Sequence, residues 1–516
     1  MSDSEIVLVN PRFETSYWGL EHAMSVFGKR SILPVAALPL LAALTPAEHR
    51  VTIVDENVEP LDLERVARAD VVGLTGMSVQ RERMLEVLRA LKSRGAFTVV
   101  GGPWTTVRED AFADLADVIF VGEAEETWPR FLEDRRRGTV QRRYEQSERT
   151  DMSRVPPPRY DLLRSARYLF GSLQISRGCP FQCEFCDIIV TFGRRPRLKT
   201  AEQILVELEA LRARFDTVFV VDDNLIGNKK AVKPLLRAIV DWQRERGYPL
   251  TFFTEASLDL AEDRELLGLM VEANFQTVFV GIESPNEAAL RETKKNQNLR
   301  GGLVERVRRI QVAGLEVWCG MILGFDSDDE TIFAAHESFL RESRIAHAMV
   351  GMLSAIPKTP LYLRLKHEKR LDLEGEHRYG TNVVPLGMER SALRDGYVRL
   401  MESLYAPDAY FDRVDSLYLD PEFDVGSARE RWWRAHPLRH ARSKALDLAR
   451  AAVVTARLMR EVDDPALRRT YRDRIARFAR QRPDPSLIFV YAVKCAVHYH
   501  TAKLTRGMAE RVVNTF

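Results

Sequence analysis

Cys179, Cys183 and Cys186 fall within eight residues, in the run Ser176-Arg177-Gly178-Cys179-Pro180-Phe181-Gln182-Cys183-Glu184-Phe185-Cys186. No other stretch constrains the fold as strongly, because the chain around it must hold three thiols on one compact loop. Thiolates are the usual protein donors to a [4Fe–4S] cluster, which has four irons to ligate. A C-x3-C-x2-C loop supplies three and leaves one iron open, able to bind a small molecule and pass it an electron. A zinc knuckle would require a fourth ligand and usually a C-x2-C pair. Neither Cys319 nor Cys495 lies in a comparable cluster. Three buried structural thiols are the remaining reading.

A chain of 516 residues is too long for one core and implies about two to four domains. With 45% hydrophobic and 29% charged residues it is globular and largely folded. Five cysteines make no disulfide framework, and an oxygen-sensitive cluster needs a reducing compartment. The start, Met1-Ser2-Asp3-Ser4-Glu5, is acidic, unlike a signal peptide. The apolar run Ile32 to Leu44 is too short to span a bilayer and holds Pro34 and Pro39. A cytoplasmic location is expected. The net charge of +2 hides an asymmetry: Ser427 to Phe516 carries 20 Lys/Arg against 8 Asp/Glu. Such a tail suits an anionic surface or substrate, or a solvated helical face.

Short apolar runs stopped by glycine or proline read as buried strands: Ile6 to Pro11, Val51 to Asp55, Asp70 to Gly76, Phe97 to Pro103 and Asp117 to Glu123. Helical patterns such as Glu82 to Arg94 lie between them, and the alternation predicts a parallel, doubly wound sheet. Such sheets bind ligands beyond the C-terminal ends of their strands. Small residues stand there: Gly76-Met77-Ser78, Gly101-Gly102-Pro103 and Gly122-Glu123-Ala124-Glu125, with Trp104 following the second. Glycine lets the backbone approach a bulky ligand closely. Trp104 is placed either to cap that ligand or to pack in the core. Another nucleotide-binding sheet, or one that has lost its ligand, has the same pattern.

Arg135 to Pro158 reads as a linker, stiffened by Pro156-Pro157-Pro158. A second α/β set follows, with strands at Leu173 to Ser176, Thr217 to Val221, Leu250 to Phe253, Thr277 to Gly281, Glu316 to Ile322 and Ala348 to Leu353. Polar groups gather where those strands end: Asp222-Asp223-Asn224, Thr254-Glu255-Ala256-Ser257, Gly281-Ile282-Glu283-Ser284 and Gly320 to Asp326. Each carboxylate alone is as readily a helix N-cap. Their recurrence at consecutive strand ends marks a site.

The cysteine loop resembles the cluster-binding motif of the radical S-adenosylmethionine (SAM) superfamily, in which SAM chelates the open iron. Ser176 to Ile189, Val221 to Lys230 and Phe253 to Leu258 are similar to the cobalamin-dependent branch that includes the hopanoid C-2 methylase. Gly193 to Lys199, Ile282-Glu283-Ser284-Pro285 and Pro357 to Leu361 agree with it, and the likeness covers residues 5 to 370. The resemblance implies a Rossmann-like cobalamin-binding domain over 1–138, a linker over 139–168, and a partial (β/α)6 TIM-type barrel with the cluster over 169–370. A basic, mainly helical domain over 371–516 completes this α/β architecture. Cys179, Cys183 and Cys186 would ligate the cluster. Asp222, Asp223 and Asn224 would hold the SAM amino group, Glu283 the ribose, and Phe185 would pack near the adenine. Ser257 is assigned to SAM, and Glu255 to SAM or substrate. Thr75, Gly76, Ser78, Gly101, Gly102, Pro103, Trp104, Gly122 and Glu123 would line the cobalamin. A D-x-H-x-x-G segment is absent and no His occurs between His49 and His336, so the cobalt would lack a histidine from this domain. That too matches the radical SAM branch.

The activity implied is methyl transfer to an unactivated carbon of a small hydrophobic substrate, isoprenoid or lipid, through a 5′-deoxyadenosyl radical. Cyclisation, ring rearrangement or C–C coupling without methyl transfer is the alternative, and a non-catalytic sensor or electron carrier the third reading. An electron donor such as flavodoxin or ferredoxin is the implied partner. The lack of an acid–base pair does not count against an enzyme whose cofactors carry the chemistry. Beyond Leu371 the chain turns helical, from Arg390 to Tyr405, from His440 to Glu461, and twice more after Asp463-Asp464-Pro465 and Pro483-Asp484-Pro485. The last run, Leu487 to Val493, is stopped by Lys494 and too short to cross a membrane. Basic helices with aromatic residues can lie in a membrane interface; helices packed on the barrel and shielding its mouth give the same pattern. No nucleic-acid motif accompanies the charge. His498 and His500 read as surface residues rather than a metal pair.

Overall fold

The computed structural model describes residues 4–515; Met1 to Asp3 of the acidic start, and Phe516, lie outside them. Six parallel strands build the first sheet: β1 (Glu5–Asn10), β2 (Arg50–Asp55), β3 (Val71–Thr75), β4 (Thr98–Gly101), β5 (Val118–Val121) and β6 (Arg143–Glu145). Their order is β2-β1-β3-β4-β5-β6, so the winding reverses between β1 and β3. β3 is buried along its whole length, as expected of a parallel strand covered on both faces. One core, around Val72, Leu88 and Phe112, lies on one face, and another, around Leu8, Phe120 and Trp128, on the other. β6 falls inside the stretch 139–168 expected as a linker. It is pinned by the buried Tyr144, whose hydroxyl donates to Asp134 Oδ2 at 2.8 Å. A three-residue strand with one apolar residue has too short an alternation to be seen in sequence.

The second sheet is a parallel half-barrel. Its expected first strand, Leu173 to Ser176, divides into β7 (Gly171–Leu173) and β8 (Ser176–Arg177). β8 leaves the barrel to pair antiparallel with β9 (Arg197–Leu198). The division falls where the Asp222 carboxylate takes the N–H groups of Ile175 and Ser176, at 2.7 Å each, in place of a neighbouring strand. β10 (Thr217–Val220), β11 (Thr251–Glu255), β12 (Phe275–Glu283), β13 (Glu316–Leu323) and β14 (Ala348–Met352) complete the order β14-β13-β12-β11-β10-β7. The open side between β14 and β7 is closed from both ends of the chain. Trp18 sets its ring edge-on to Phe279 at 5.0 Å, Tyr17 Oη meets Tyr405 Oη at 2.9 Å, and Asn514 and Thr515 bond the backbone of Met352 and Val350.

Six helices between Arg390 and Gly507 form the C-terminal region. The first, Arg390–Leu404, runs down the side of the barrel from Leu393, which lies against Gly324 just past β13, and the other five pack beneath the barrel rather than over its mouth. Lys494 pairs with Glu316, the first residue of β13, at 2.6 Å. Arg413 donates to the Ile345 carbonyl, Tyr410 meets His347 at 3.1 Å, and Arg450 pairs with Asp216. All four partners lie at or just before the N-terminal end of a strand. The expected shield of the mouth is therefore a floor. His498 and His500 are buried in it, bonded to Tyr471 and to the Ser16 carbonyl, and are not surface residues. Among the described residues no helix is long and apolar enough to cross a membrane.

Candidate active site

β8 delivers the chain into the cysteine loop at Gly178, where φ is +94° and an added Cβ would stand 2.9 Å from the Gly193 carbonyl oxygen. No side chain fits there. The three thiols are unpaired; Cys183 is buried, Cys179 and Cys186 half-buried. Each faces an N–H donor. Asn224 Nδ2 lies 3.8 Å from Cys179 Sγ and Gln297 Nε2 3.7 Å from Cys183 Sγ. The Ile188 amide serves Cys186, and that of Phe181 also serves Cys179. Donors aimed at sulfur stabilise thiolates and tune the potential of a cluster they hold. Burial pushes the Cys179 and Cys186 thiols above their ordinary range, the cost that a bound cationic centre reverses. Among the described residues no three His, Cys, Asp or Glu groups close on a single ion. A cubane takes one thiolate at each of three separate irons, so this loop fits a cluster better than a lone zinc.

The strand-end carboxylates divide into supports and candidates for ligand contact. Asp222 is buried, and it accepts from Ile175 N, Ser176 N and, at 2.6 Å, Ser176 Oγ. It fixes the backbone leading into the cysteine loop, a support rather than the expected contact with SAM. Asn224 and Ser257 bond each other, with Asn224 Nδ2 to Ser257 Oγ at 3.1 Å, and brace the loops after β10 and β11. Asp223 accepts from Gly178 N at 2.8 Å; burial, then the Asp222 charge, raises its carboxyl to about 7. Glu255, ending β11, is pushed up to about 8 by burial and by the charges of Asp223, Asp222 and Glu283. Glu283 ends β12 after a register shift at Gly281, with φ +68°, a strained value for a residue with a side chain. Its Oε1 meets Lys295 Nζ at 2.6 Å, and Lys295 Nζ stands 6.0 Å over the ring of the buried Phe185.

Of Asp223, Glu255 and Glu283 only the last is paired, with Lys295, while Arg177, near Asp223, pairs with Glu123 and Glu125. A surplus of acid remains, and Asp223 and Glu255 are driven toward the neutral form. A ligand bearing a sulfonium and an ammonium answers that surplus, and Lys295 suits its carboxylate. Lys295 and Gln297 escaped sequence reasoning. They lie on a turn tied to the end of β12 by Asn298, whose Nδ2 donates to the Gly281 and Ile282 carbonyls at 2.9 Å each. Gln297 reaches Cys183 across 114 residues of chain, a distance no spacing rule covers.

The C-terminal edge of the first sheet is shaped for close approach. Gly102 has φ +101°, and a Cβ there would collide with Thr75 Oγ1 and stand 3.2 Å from Gly76 N. Gly101 packs on Phe120, Pro103 begins the helix Pro103–Val107, and an added Cβ on Gly122 would meet nothing within 4 Å. Met77 and Val79, on either side of Ser78, are 52% and 42% exposed. Apolar side chains left outward at a strand-end edge suit the apolar face of a corrin; Met77 stood in the expected strand-end run without a role, and Val79 was not expected. Trp104 does not cap this edge: it is buried and meets Phe112 edge-on at 5.0 Å. Glu123 does not line it either. Its fully buried carboxylate takes Arg177 Nη1 at 2.9 Å, Arg197 Nη1 at 3.0 Å and Thr150 N at 3.1 Å.

That network joins the two sheets. Glu123 and Glu125 follow β5, and Arg177, two residues before Cys179, pairs with both, reaching Glu125 at 2.6 Å. Lys358, beyond β14, donates to the Thr106 carbonyl, beyond β4, at 2.6 Å. Arg81, beyond β3, pairs with Glu376 at 2.8 Å. The C-terminal ends of both sheets therefore face each other. Burying four charges is repaid only where each has its partner, and the pairing fixes one sheet against the other.

Three family models match the chain: a B12 binding domain over residues 30–132, the Radical SAM superfamily over 173–338, and a Domain of unknown function (DUF4070) over 359–514. Fold and site are those of a radical SAM enzyme with a cobalamin domain. The hopanoid C-2 methylase of Rhodopseudomonas palustris is 33% identical over 98% of this chain and 95% of its own. An uncharacterized methyltransferase of Synechocystis, sll1242, is 40% identical over 79% of this chain and 77% of its own. The chain belongs to the cobalamin-dependent radical SAM methyltransferases, in the branch of the hopanoid C-2 methylase. Its cofactors are a [4Fe–4S] cluster, SAM and cobalamin. Among solved structures, the cobalamin-dependent SAM radical enzyme OxsB, with aqua-cobalamin and SAM bound, has a TM-score of 0.60 at 14% identity, covering 100% of this chain and 82% of that one. The methyltransferase TsrM of Kitasatospora setae, with cobalamin and cluster bound, has a TM-score of 0.59 at 16% identity over 71% and 75%. At such identities the likeness is one of fold.

Proposed function

We propose that this enzyme methylates an unactivated carbon of a hydrophobic substrate of the isoprenoid or lipid class, with an electron delivered by a carrier such as flavodoxin or ferredoxin. Carrying this reading is the way the acid-rich strand ends of the barrel and the glycine-rich edge of the first sheet face each other. When bound, the cluster with SAM supplies a 5′-deoxyadenosyl radical and methylcobalamin the methyl group. Cys179, Cys183 and Cys186 would hold the cluster, and Asp223, Glu255, Glu283 and Lys295 the SAM, with Phe185 beneath. Thr75, Gly76, Ser78, Gly101, Gly102, Pro103 and Gly122, with Met77 and Val79, would hold the corrin. The first domain, on this reading, runs through β6.

The barrel interior supports an apolar substrate. Phe219, Phe253, Phe279 and Trp318 alternate with outward residues, and Phe219 stacks on Phe253 at 4.6 Å. The inward four are half-buried, whereas Val218, Val220, Val278 and Val280 are at most 1% exposed. An aromatic wall reachable from inside receives an apolar molecule and keeps water from a radical. The 33% identity to a hopanoid methylase points to the same class.

The test is anaerobic incubation of the reconstituted enzyme with reductant, lipid extract and SAM deuterated in its methyl group. Label in a lipid, accompanied by 5′-deoxyadenosine, is expected. 5′-Deoxyadenosine with an unlabelled product would replace methylation by rearrangement or coupling. Label in a polar product would remove the substrate class.

A further inference from the structure

We infer that the outward face of the helix Pro437–Glu461 docks the protein on a membrane surface rich in anionic lipid. This helix, 25 residues and about 37 Å long, turns Asp447, Ala451, Val454 and Leu458 inward. A surface helix ordinarily shows water its polar residues. Here the outward face carries Leu438, 89% exposed, Leu448 at 54%, and Leu446 and Val453 at 48% each, with five exposed alanines among them. The only charges within that face are Arg442 and Arg460, and Arg439 and Arg450 flank it. Neither acid of the helix lies within the face: Asp447 is buried, and Glu461, at its edge, accepts from Ser25 at 3.0 Å and from Arg460 at 3.3 Å.

An exposed apolar face of this extent marks an interaction surface, and its charge selects the occupant. A second copy of the chain would bring arginine against arginine with no acid inside the face, Glu461 at its edge being shared already by Ser25 and Arg460. A nucleic acid would offer phosphates to leucine and alanine. An anionic bilayer answers both features: the apolar side chains enter the boundary between headgroups and acyl chains, and the arginines reach lipid phosphates. The surrounding stretch, Ser427 to Phe516, has the same sign, with 20 Lys/Arg against 8 Asp/Glu. Through Arg450 and Asp216 the helix is fixed to the floor end of the barrel, away from the cysteine loop. Docking there leaves the mouth clear for an electron carrier. The inference requires neither methyl transfer nor a lipid substrate.

The test is co-sedimentation of the full-length protein with vesicles of phosphatidylcholine alone or mixed with phosphatidylglycerol. Pelleting with the mixed vesicles only, and release by salt, are expected. Leu438→Glu combined with Leu448→Glu and Val453→Glu should lower the bound fraction roughly tenfold. Arg442→Glu with Arg460→Glu should lower it too while keeping the apolar face. These positions are exposed, so circular dichroism and thermal melting should stay unchanged in both variants. Equal pelleting of wild type and variants, no pelleting of wild type, or indifference to phosphatidylglycerol would overturn the inference. So would a wild-type dimer in light scattering that the leucine variant makes monomeric, since a second copy would then cover the face.

Discussion

At the floor of the barrel Lys494 and Glu316 face each other at 2.6 and 2.7 Å, and Tyr418 donates to the same carboxylate at 2.9 Å. At the mouth only Glu283 of Asp223, Glu255 and Glu283 is paired with a lysine, Lys295, and the other two are raised to about 7 and about 8. Both ends bury charge; at the floor Lys494 and Glu316 answer each other and Arg413 is taken up by backbone carbonyls, whereas the mouth leaves carboxyls without a cation. A buried charge with its partner is fixed for good, whereas a surplus of carboxyls is free to answer a ligand. The difference assigns stability to the floor and chemistry to the mouth, as in complete βα barrels.

The sharpest break of that comparison is Cys183→Ala at the mouth. SAM cleavage, read as 5′-deoxyadenosine, should vanish and bound iron fall, while the far-UV circular dichroism stays that of the wild type. Cleavage surviving the change would dissociate the loop from the cluster. At the floor Lys494→Met leaves Glu316 buried without its cation, which should cost about 3–5 kcal/mol in a denaturant titration. Cleavage per folded molecule should hold; an unchanged stability would show that the floor does not carry it. Between the two ends, Glu123→Gln weakens the joint by about 1–3 kcal/mol and should leave the corrinoid content per chain unaltered. Loss of corrinoid would return Glu123 to the cofactor.

The smallest effect is the most diagnostic of the mouth. Glu255 keeps its proton up to about 8, while an unfolded chain releases it near about 4.3. Across that window the folded state binds more protons, so this group's contribution to stability falls as pH rises. A cationic ligand favours the ionised carboxylate, so SAM should bind more tightly over the same rise. The thermal shift given by SAM should be larger at pH 8 than at pH 6, and Glu255→Gln should flatten the difference and weaken binding at pH 8 about tenfold. Equal shifts at both pH values in the wild type would take Glu255 out of the site.

How much of this was legible in the chain depended on the range of the interaction. The cysteine loop and the glycines at Gly101, Gly102 and Gly122 are local, and each appears where its residues placed it. The apolar runs gave eleven of the strands because burial on both faces writes itself into a few consecutive residues. What failed were partnerships. Glu123 was expected at a ligand because it follows a strand, but its fate was decided by Arg177, 54 residues on. Asp222 looked like a ligand group and is spent on the backbone of Ile175 and Ser176. The C-terminal helices were recognisable as helices, yet only distant contacts, such as that of Lys494 with Glu316, 178 residues before it, tell which end of the barrel they cover.

The closure of the barrel seam has a consequence in time. Arg511 meets Glu14 across 497 residues of chain, beside the contacts of Tyr17, Trp18, Asn514 and Thr515. Glu14 and Arg511 leave the ribosome 497 residues apart, so this part of the side wall closes only after the strands between them have been made. Until Arg511 has been made the interior stays approachable from that side. Once Asn514 and Thr515 bond the backbone of β14, that side is closed.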